Sequence, residues 1–600
     1  MISVEQSFYQ AFPALAQGAG RTLSRPVVEL LRRVTCEAEV NATLGRLAGC
    51  RGFDFVERAL EDIRFDYRVA PSDRENIPSE GRAVIVANHP LGAMDALALL
   101  HLVGSVRRDA RILANEVLMQ LDGLRELLIP LDVFGGKARG GLREAYRALE
   151  AEQALIVFPA GEVSRIRPTG VRDGRWSEGF IRFARRCGAP VVPVHVQAQN
   201  SAMFYGMSML AKPLATLMLP REIFAGRARC ITLTVGAPVP PQALQAAALS
   251  ERQLAQRMRM HVYRIARRKP PVFATSSAIA HPQPARAVKR ALQAAERLGA
   301  TSDGKQILLL DADLSNPALK EIGRLRELAF RKVGEGTGLK RDLDAYDAHY
   351  RHIVLWDEAE LEIAGAYRLA EVGRLIEQRG LQGLYSASLF DYAPAAQGFL
   401  RESIELGRSF VQPRYWGSRS LDYLWQGIGA YLARHPEVRY LIGPVSLSAV
   451  LPEPARDWIV ETHRHYFGDR TGLARARNPL ETASDVQDAA AAALAALPVR
   501  EGLAALRLQL DCLGVAVPML YRQYVDLCEP DGVRFLDFGV DPGFGHCVDG
   551  LIRVDLTRIK PAKRSRYLSA GSLDAAASRR RGLALDEGRR REARPDTKPS

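Results

Sequence analysis

The spacing of apolar positions changes several times along this chain. In residues 1 to about 75, stretches such as 27–34 (VVELLRRV) and 42–49 (ATLGRLAG) place apolar side chains at helical intervals with arginines between them, so the segment reads mainly as helix. A helix packed on the neighbouring domain is the plainer reading, and a helix lying on a membrane surface is the alternative. From residue 82 short apolar runs alternate with helical patterns. Strands are expected in 82–90 (RAVIVANHP), 110–116, 128–134, 154–162 (ALIVFPAGE) and 190–196 (PVVPVHV). Helices are expected in 91–104, 141–153, 178–188 and 251–269. That alternation predicts an α/β domain over 76–268.

Residues 269–299 carry Pro, Ser and Ala without periodicity and read as a linker. A second α/β domain is expected over 300–560. It has a helix in 316–336, a hairpin in 352–372, a strand in 404–415, a helix in 421–435 and a strand in 438–447. Residues 561–600 are polar and arginine-rich and read as a disordered tail.

Composition narrows the partners. The chain has 600 residues, too many for one core. Its net charge of +14 favours anionic partners: nucleic acid, anionic lipid or an acidic carrier protein. No zinc-finger or RNP-like signature is present, so nucleic acid ranks low. The seven cysteines form no CxxC pair and read as small apolar fillers in a reducing compartment. The N-terminus has no signal-peptide pattern. The most apolar stretch, 83–103, is interrupted by His89, Pro90, Asp95 and His101, which argues against a spanning helix. Any membrane contact should therefore be peripheral.

The candidate chemistry begins at Asn88-His89-Pro90-Leu91-Gly92-Ala93-Met94-Asp95, where a strand meets a helix. Acyl transfer to a hydroxyl needs a base that takes the proton as oxygen attacks the thioester, and an imidazole oriented by a carboxylate suits that task. The local alternative is a capping histidine and a solvated aspartate. Val157-Phe158-Pro159-Ala160-Gly161-Glu162-Val163-Ser164-Arg165 follows, then Ala189-Pro190-Val191-Val192-Pro193-Val194. The order of these blocks resembles the glycerolipid acyltransferase family, over roughly residues 80 to 240. The resemblance implies that His89 and Asp95 are the catalytic dyad. It also implies that Gly161, Glu162 and Pro193 belong to the third and fourth blocks, with Arg139 in 134–139 (FGGKAR) as the cation of the second. Two departures stand out. The His–Asp gap is one residue longer than usual, and Ala160 replaces the family's glutamate, with Glu162 two places on. In both departures the chain resembles a branch of the family that acylates aminoacyl lysolipids and other unusual acceptors, which weakens a glycerol-phosphate assignment.

The second domain carries 325–336 (LRELAFRKVGEG), 343–347 (LDAYD), 365–369 (GAYRL) and 405–411 (ELGRSFV). Read locally, these are a charged helix face, a turn and two strands with salt bridges. As an ordered set, with Trp425, they resemble the ornithine N-acyltransferases and, more distantly, the acyl-homoserine-lactone synthases. That resemblance implies a GNAT-like fold and a site lined by Asp344, Asp347, Arg368, Glu405 and Arg408. Acids can bind an ammonium group and arginines can clamp a carboxylate. Glu405 is the candidate base. Residues 514–530 and 532–556 look like the same family without offering any chemistry.

The expected fold is thus a glycerolipid-acyltransferase-like α/β domain followed by a GNAT-like α/β domain. Together the halves resemble a bifunctional ornithine-lipid synthase. The second domain would N-acylate an amino acid, with ornithine favoured, from a 3-hydroxyacyl thioester on an acidic acyl carrier protein. The first would then esterify the 3-hydroxyl of that lyso-aminolipid. The scheme implies no metal and no cofactor beyond the acyl thioester. It implies peripheral contact with anionic lipid at the cytoplasmic face of a bacterial inner membrane. The alternative is a phospholipid acyltransferase whose second half only binds carrier protein or membrane.

Overall fold

The structure, a computed structural model, describes residues 3–11, 18–114, 121–130, 138–167, 170–210, 219–225, 230–245, 248–311 and 313–568. Two strands of the first half, Ala83–Ala87 and Ala154–Val157, are buried at every position. Strands covered on both faces by helices have this pattern. They lie at the centre of a sheet that runs, among the described residues, Asp66–Val69, Cys230–Val235, Val191–Gln197, Ala83–Ala87, Ala154–Val157, Arg111–Ala114, Leu128–Pro130. Neighbours are parallel except Val191–Gln197 against Cys230–Val235.

The two-residue period of a strand splits this core into two layers. Ala83, Ile85 and Ala87 face one cluster, with Phe53 and Leu60 of helix Gly52–Ile63 and Leu99 and Leu102 of helix Ala93–Gly104. Val84 and Val86 face the other, with Leu149, Phe180 and Met258 of helices Ala138–Glu150, Gly179–Cys187 and Glu251–Ile265. The His89 block leaves the sheet at the C-terminal end of its central strand, the usual place for a site in a parallel α/β sheet. The first 75 residues are mostly helical: Val4–Ala11, Gly18–Val34, Glu37–Arg46 and Gly52–Ile63. They also supply the edge strand Asp66–Val69, which is too short and too exposed for its periodicity to be read.

The chain divides into two units, Met1–His281 and Pro282–Ser600. The segment expected as a linker therefore needs correction. Within it, Ala285–Gln293 is a helix that buries Val288 and Leu292, and Glu296–Ala300 is a strand of the second sheet. Two apolar positions in a basic run are too few to show as a helix in sequence. The second sheet runs Glu296–Ala300, Gln306–Leu310, Arg351–Asp357, Glu362–Glu371, Ser403–Val411, Tyr440–Leu447, Cys547–Asp555, Val533–Asp541.

All neighbours in the second sheet are antiparallel except Ser403–Val411 with Tyr440–Leu447, which are parallel. That parallel register covers only Ser403–Glu405 against Tyr440–Ile442, so the two strands part beyond Glu405. Just past the parting, Ala366 pairs with Phe410 and Arg368 with Gly407, which leaves Arg408 and Ser409 opposite Tyr367 alone. Arg408 sits in this bulge with φ +48°, a left-handed conformation unusual for a non-glycine residue and found where a strand re-aims a side chain.

The expected tail is corrected in part. Pro561–Tyr567 is a helix, and Tyr567 joins the main core of the second unit. Residues 569–600 lie outside the described residues. Among the described residues no helix is long and apolar enough to cross a membrane.

Candidate active sites

The first site is assembled by the turn after Ala83–Ala87. Gly92 takes φ +82°, which a glycine adopts without strain, and turns the chain into helix Ala93–Gly104. Asp95, in the first turn of that helix, reaches back. Its Oδ2 accepts from the N–H groups of Leu91 (2.7 Å) and Gly92 (3.2 Å) and lies 3.4 Å from His89 Nδ1. Asp95 is wholly buried, whereas the His89 side chain remains 18% exposed. The dyad is thus at ion-pair distance but not aligned as a hydrogen bond: His89 Nδ1 and Asp95 Oδ1 are buried without a hydrogen-bond partner. Such contacts tighten once substrate is bound. Burial pushes the Asp95 carboxyl above its ordinary range, against the pull of His89 and the two backbone donors.

His89 is fixed from both sides. Its ring stacks on Phe158 with centroids 4.1 Å apart. Its N–H donates to Asp173 Oδ1 at 3.2 Å, and its carbonyl accepts from the N–H of Ser164 at 2.8 Å. Asp173, fully buried, also accepts from the Ser164 hydroxyl and from Trp176 Nε1. No motif marks Asp173: it lies in a turn-like VRDGRW stretch, 84 positions from its partner. Asn88 is held by a two-way pair with Val196.

The remaining block residues have other positions. Gly161 is an exposed turn glycine at φ +65° whose N–H bonds Phe158 O. Glu162 is exposed and lies with Arg167 over Gly174. Pro193, in register with Val86, packs beside Ile265 against Gly236. Its described neighbours are thus packing contacts with the segment that ends helix Glu251–Ile265. Arg139 opens helix Ala138–Glu150, but its side chain and residues 134–137 lie outside what is described.

In the second unit the expected residues do converge. Arg326 Nη1 donates to Asp347 Oδ1 at 2.9 Å. Arg368 Nη1 donates to Asp344 Oδ1 at 2.7 Å and lies 3.4 Å from Asp347 Oδ2. Arg408 Nε lies 3.3 Å from Asp342 Oδ2, and its Nη2 lies 3.9 Å from Asp344. Asp344 also caps the short helix Ala345–Ala348 by accepting from Tyr346 and Asp347 N–H. Burial pushes the Asp347 carboxyl up, but Arg326, Arg368 and His352 outweigh it and hold it well below the carboxylate range. The Arg408 guanidinium lies between the rings of Tyr385 (4.8 Å) and Phe544 (4.1 Å).

Glu405, the expected base, lies deep in the unit. It is 1% exposed, its Oε1 accepts from Ser386 N–H at 2.6 Å, and its Oε2 accepts from the Tyr350 hydroxyl. With a hydrogen bond accepted at each oxygen it anchors Tyr350 against Arg368. Sequence reasoning also missed Asp342, Tyr350, Tyr385, Asp541 and Phe544. Tyr350 and Tyr385 look like ordinary core aromatics in sequence. Asp541 and Phe544 belong to a hairpin whose strands had no motif to read.

The chain matches two families. One, described as acyltransferase, matches residues 12–268, and the acetyltransferase (GNAT) domain matches residues 325–426. It is similar to the lyso-glycine lipid O-acyltransferase of Phocaeicola vulgatus, 32% identical over 227 residues, covering 37% of this chain and 81% of that protein. It is also similar to the glycine N(alpha)-acyltransferase of the same organism, 30% identical over 281 residues, covering 44% of this chain and 84% of that protein. The L-ornithine N(alpha)-acyltransferase of Agrobacterium fabrum is 36% identical over 135 residues, covering 22% of this chain and 45% of that protein. With a His/Asp site in an acyltransferase domain and an arginine–carboxylate site in a GNAT domain, this chain is an acyltransferase belonging to the families of the lyso-glycine lipid O-acyltransferases and glycine N(alpha)-acyltransferases.

Proposed function

We propose that this enzyme makes an aminolipid by two successive acyl transfers. In the second unit the amine of an amino acid attacks a 3-hydroxyacyl thioester. The amide forms, the C–S bond breaks, and the thiol leaves with a proton. No enzyme nucleophile is needed. In the first unit the 3-hydroxyl of that product attacks a second thioester. His89 takes the hydroxyl proton on the ring nitrogen remote from Asp95, and Asp95 stabilises the imidazolium. The observation that carries this reading is that one chain is similar both to a lyso-lipid O-acyltransferase and to amino-acid N-acyltransferases.

The acyl donor is proposed to be an acyl carrier protein, with no further cofactor; the net charge of +14 suits an acidic carrier. We place the enzyme peripherally on anionic lipid at the cytoplasmic face of a bacterial inner membrane. Helix Gly18–Val34 supports this. Leu23 (79% exposed), Val27 and Leu30 form an exposed stripe at helical spacing, flanked by Arg21, Arg25, Arg32 and Arg33.

Expression in a bacterium lacking aminolipids, followed by mass spectrometry of total lipids, tests the scheme. The wild-type chain should add a two-chain aminolipid, and Arg408→Ala should abolish both one-chain and two-chain species. A change confined to phospholipids would point instead to a phospholipid acyltransferase.

A further inference from the structure

The hairpin formed by strands Arg165–Arg167 and Gly170–Arg172 ends beside His89. Its register pairs Arg165 with Arg172, so Ser164 and Asp173, one step further out, are brought opposite each other at its base. Both are buried, Ser164 at 1% and Asp173 at 0% exposure. The Ser164 hydroxyl donates to Asp173 Oδ1, the same oxygen that accepts the His89 N–H at 3.2 Å. The Ser164 N–H donates to the His89 carbonyl at 2.8 Å. Three hydrogen bonds thus close a ring through His89, Ser164 and Asp173, and both main-chain polar groups of His89 are held within it.

Asp173 is itself held at every polar atom. Its N–H donates to the Tyr263 hydroxyl at 2.9 Å and its carbonyl accepts from Arg259 Nη2 at 2.8 Å, both on helix Glu251–Ile265. Its Oδ2 accepts from Trp176 Nε1 at 2.8 Å. Among the described residues the carboxylate has no ion-pair partner, so three donors and no cation stabilise it in a buried place. A buried carboxylate is costly unless such donors meet it. An amide in its place would offer one acceptor to three donors. The surroundings therefore specify a carboxylate, and two of its three donors come from His89 and Ser164. Beyond this anchored main chain the imidazole has only its two side-chain torsions left, and the Phe158 ring stacked at 4.1 Å limits those.

We propose that Asp173 and Ser164 are positioning residues for O-acyl transfer: they clamp the main chain of His89 so that its imidazole meets the attacking hydroxyl in one orientation. This rests on the reading of His89 as the base of the first unit. It gives the 157–165 block a part in the chemistry through its buried end. Gly161 and Glu162 are exposed, whereas Ser164 is buried and bonds the main chain of His89. A clamp of this kind predicts a loss in turnover and not in acceptor binding. A misplaced base slows the chemical step and leaves the contacts of the acceptor as they were.

The test is steady-state O-acylation by the purified full-length chain, with a one-chain N-(3-hydroxyacyl) amino acid as acceptor and an acyl-carrier thioester as donor. Asp173→Asn should lower kcat about 10- to 100-fold, with the acceptor KM within about twofold of wild type. Ser164→Ala, the milder change, should lower kcat about 3- to 10-fold with the same unchanged KM. The double variant should be no slower than Asp173→Asn alone, because the hydroxyl acts through that carboxylate; independent roles would multiply the two losses. The melting temperature of each variant sets an assay temperature below its unfolding. If Asp173→Asn does not fold, Ser164→Ala alone decides by its kcat and KM. A raised acceptor KM at unchanged kcat would make these acceptor-binding residues and overturn the clamp. Wild-type kinetics in the variants, or multiplied losses in the double variant, would overturn it too. No O-acylation by wild type would overturn the reading of His89 as well.

Discussion

At His89 the geometry is nearly but not fully catalytic: an exposed imidazole edge, a buried carboxylate 3.4 Å behind it, and a backbone pinned on both sides. Asp95→Asn keeps an oxygen for the Leu91 and Gly92 donors and removes only the charge. The substitution should therefore leave the fold intact and lower the O-acylation kcat on the order of 10²- to 10⁴-fold, read by steady-state kinetics beside a circular-dichroism control. Glu405 makes the opposite case. Its hydrogen bonds to Ser386 and Tyr350 make it an anchor. Glu405→Gln should cost N-acylation less than about tenfold, whereas the base-removal penalty of on the order of 10³ would restore it as the base.

At the scale of elements, the strand–helix alternation of 82–197 was legible because parallel strands covered on both faces are continuous apolar runs. The His89–Asp95 pair was legible for a related reason: both residues belong to one strand–turn–helix passage. What sequence left hidden depends on contacts far apart in the chain. Asp173 bonds residue 89, and Asp541 bonds residue 385. Helix Ala285–Gln293 hid behind a basic composition, and helix Pro561–Tyr567 behind the polar character of the residues that follow.

The docking of helix Pro561–Tyr567 is close. A Cβ on Gly429 would sit 1.7 Å from Tyr567 O. Gly429→Ala must displace that helix from Ser420–Leu432. The expected cost is about 1–3 kcal/mol of stability, seen as a lower chemical-denaturation midpoint. An unchanged midpoint would mean the terminal helix contributes little to the second unit.

For the whole molecule, buried titratable groups set the pH window of stability. Burial holds His195, His261 and His463 down to about 4 and, with Arg326 nearby, His352 down to about 3. These neutral imidazoles resist protonation only when folded, so the stability they contribute is present above about 6.5 and is lost as pH falls towards 4. Asp549 and Glu335 work in the other direction. With folded values raised to about 8 and 7, they favour the folded state at low pH, and that contribution is lost as pH rises through those values. Melting temperature should thus fall on both sides of neutrality, and Asp549→Asn should flatten the alkaline side.

Placing both transfers on one chain keeps the one-chain intermediate close to the site that consumes it. The most direct test is the purified full-length His89→Ala enzyme, supplied with amino acid, 3-hydroxyacyl donor and a second acyl donor, with products resolved by mass spectrometry. The account predicts that the N-acyl amino acid accumulates and no two-chain product forms. A two-chain product at the wild-type rate, or no N-acyl amino acid at all, would contradict it.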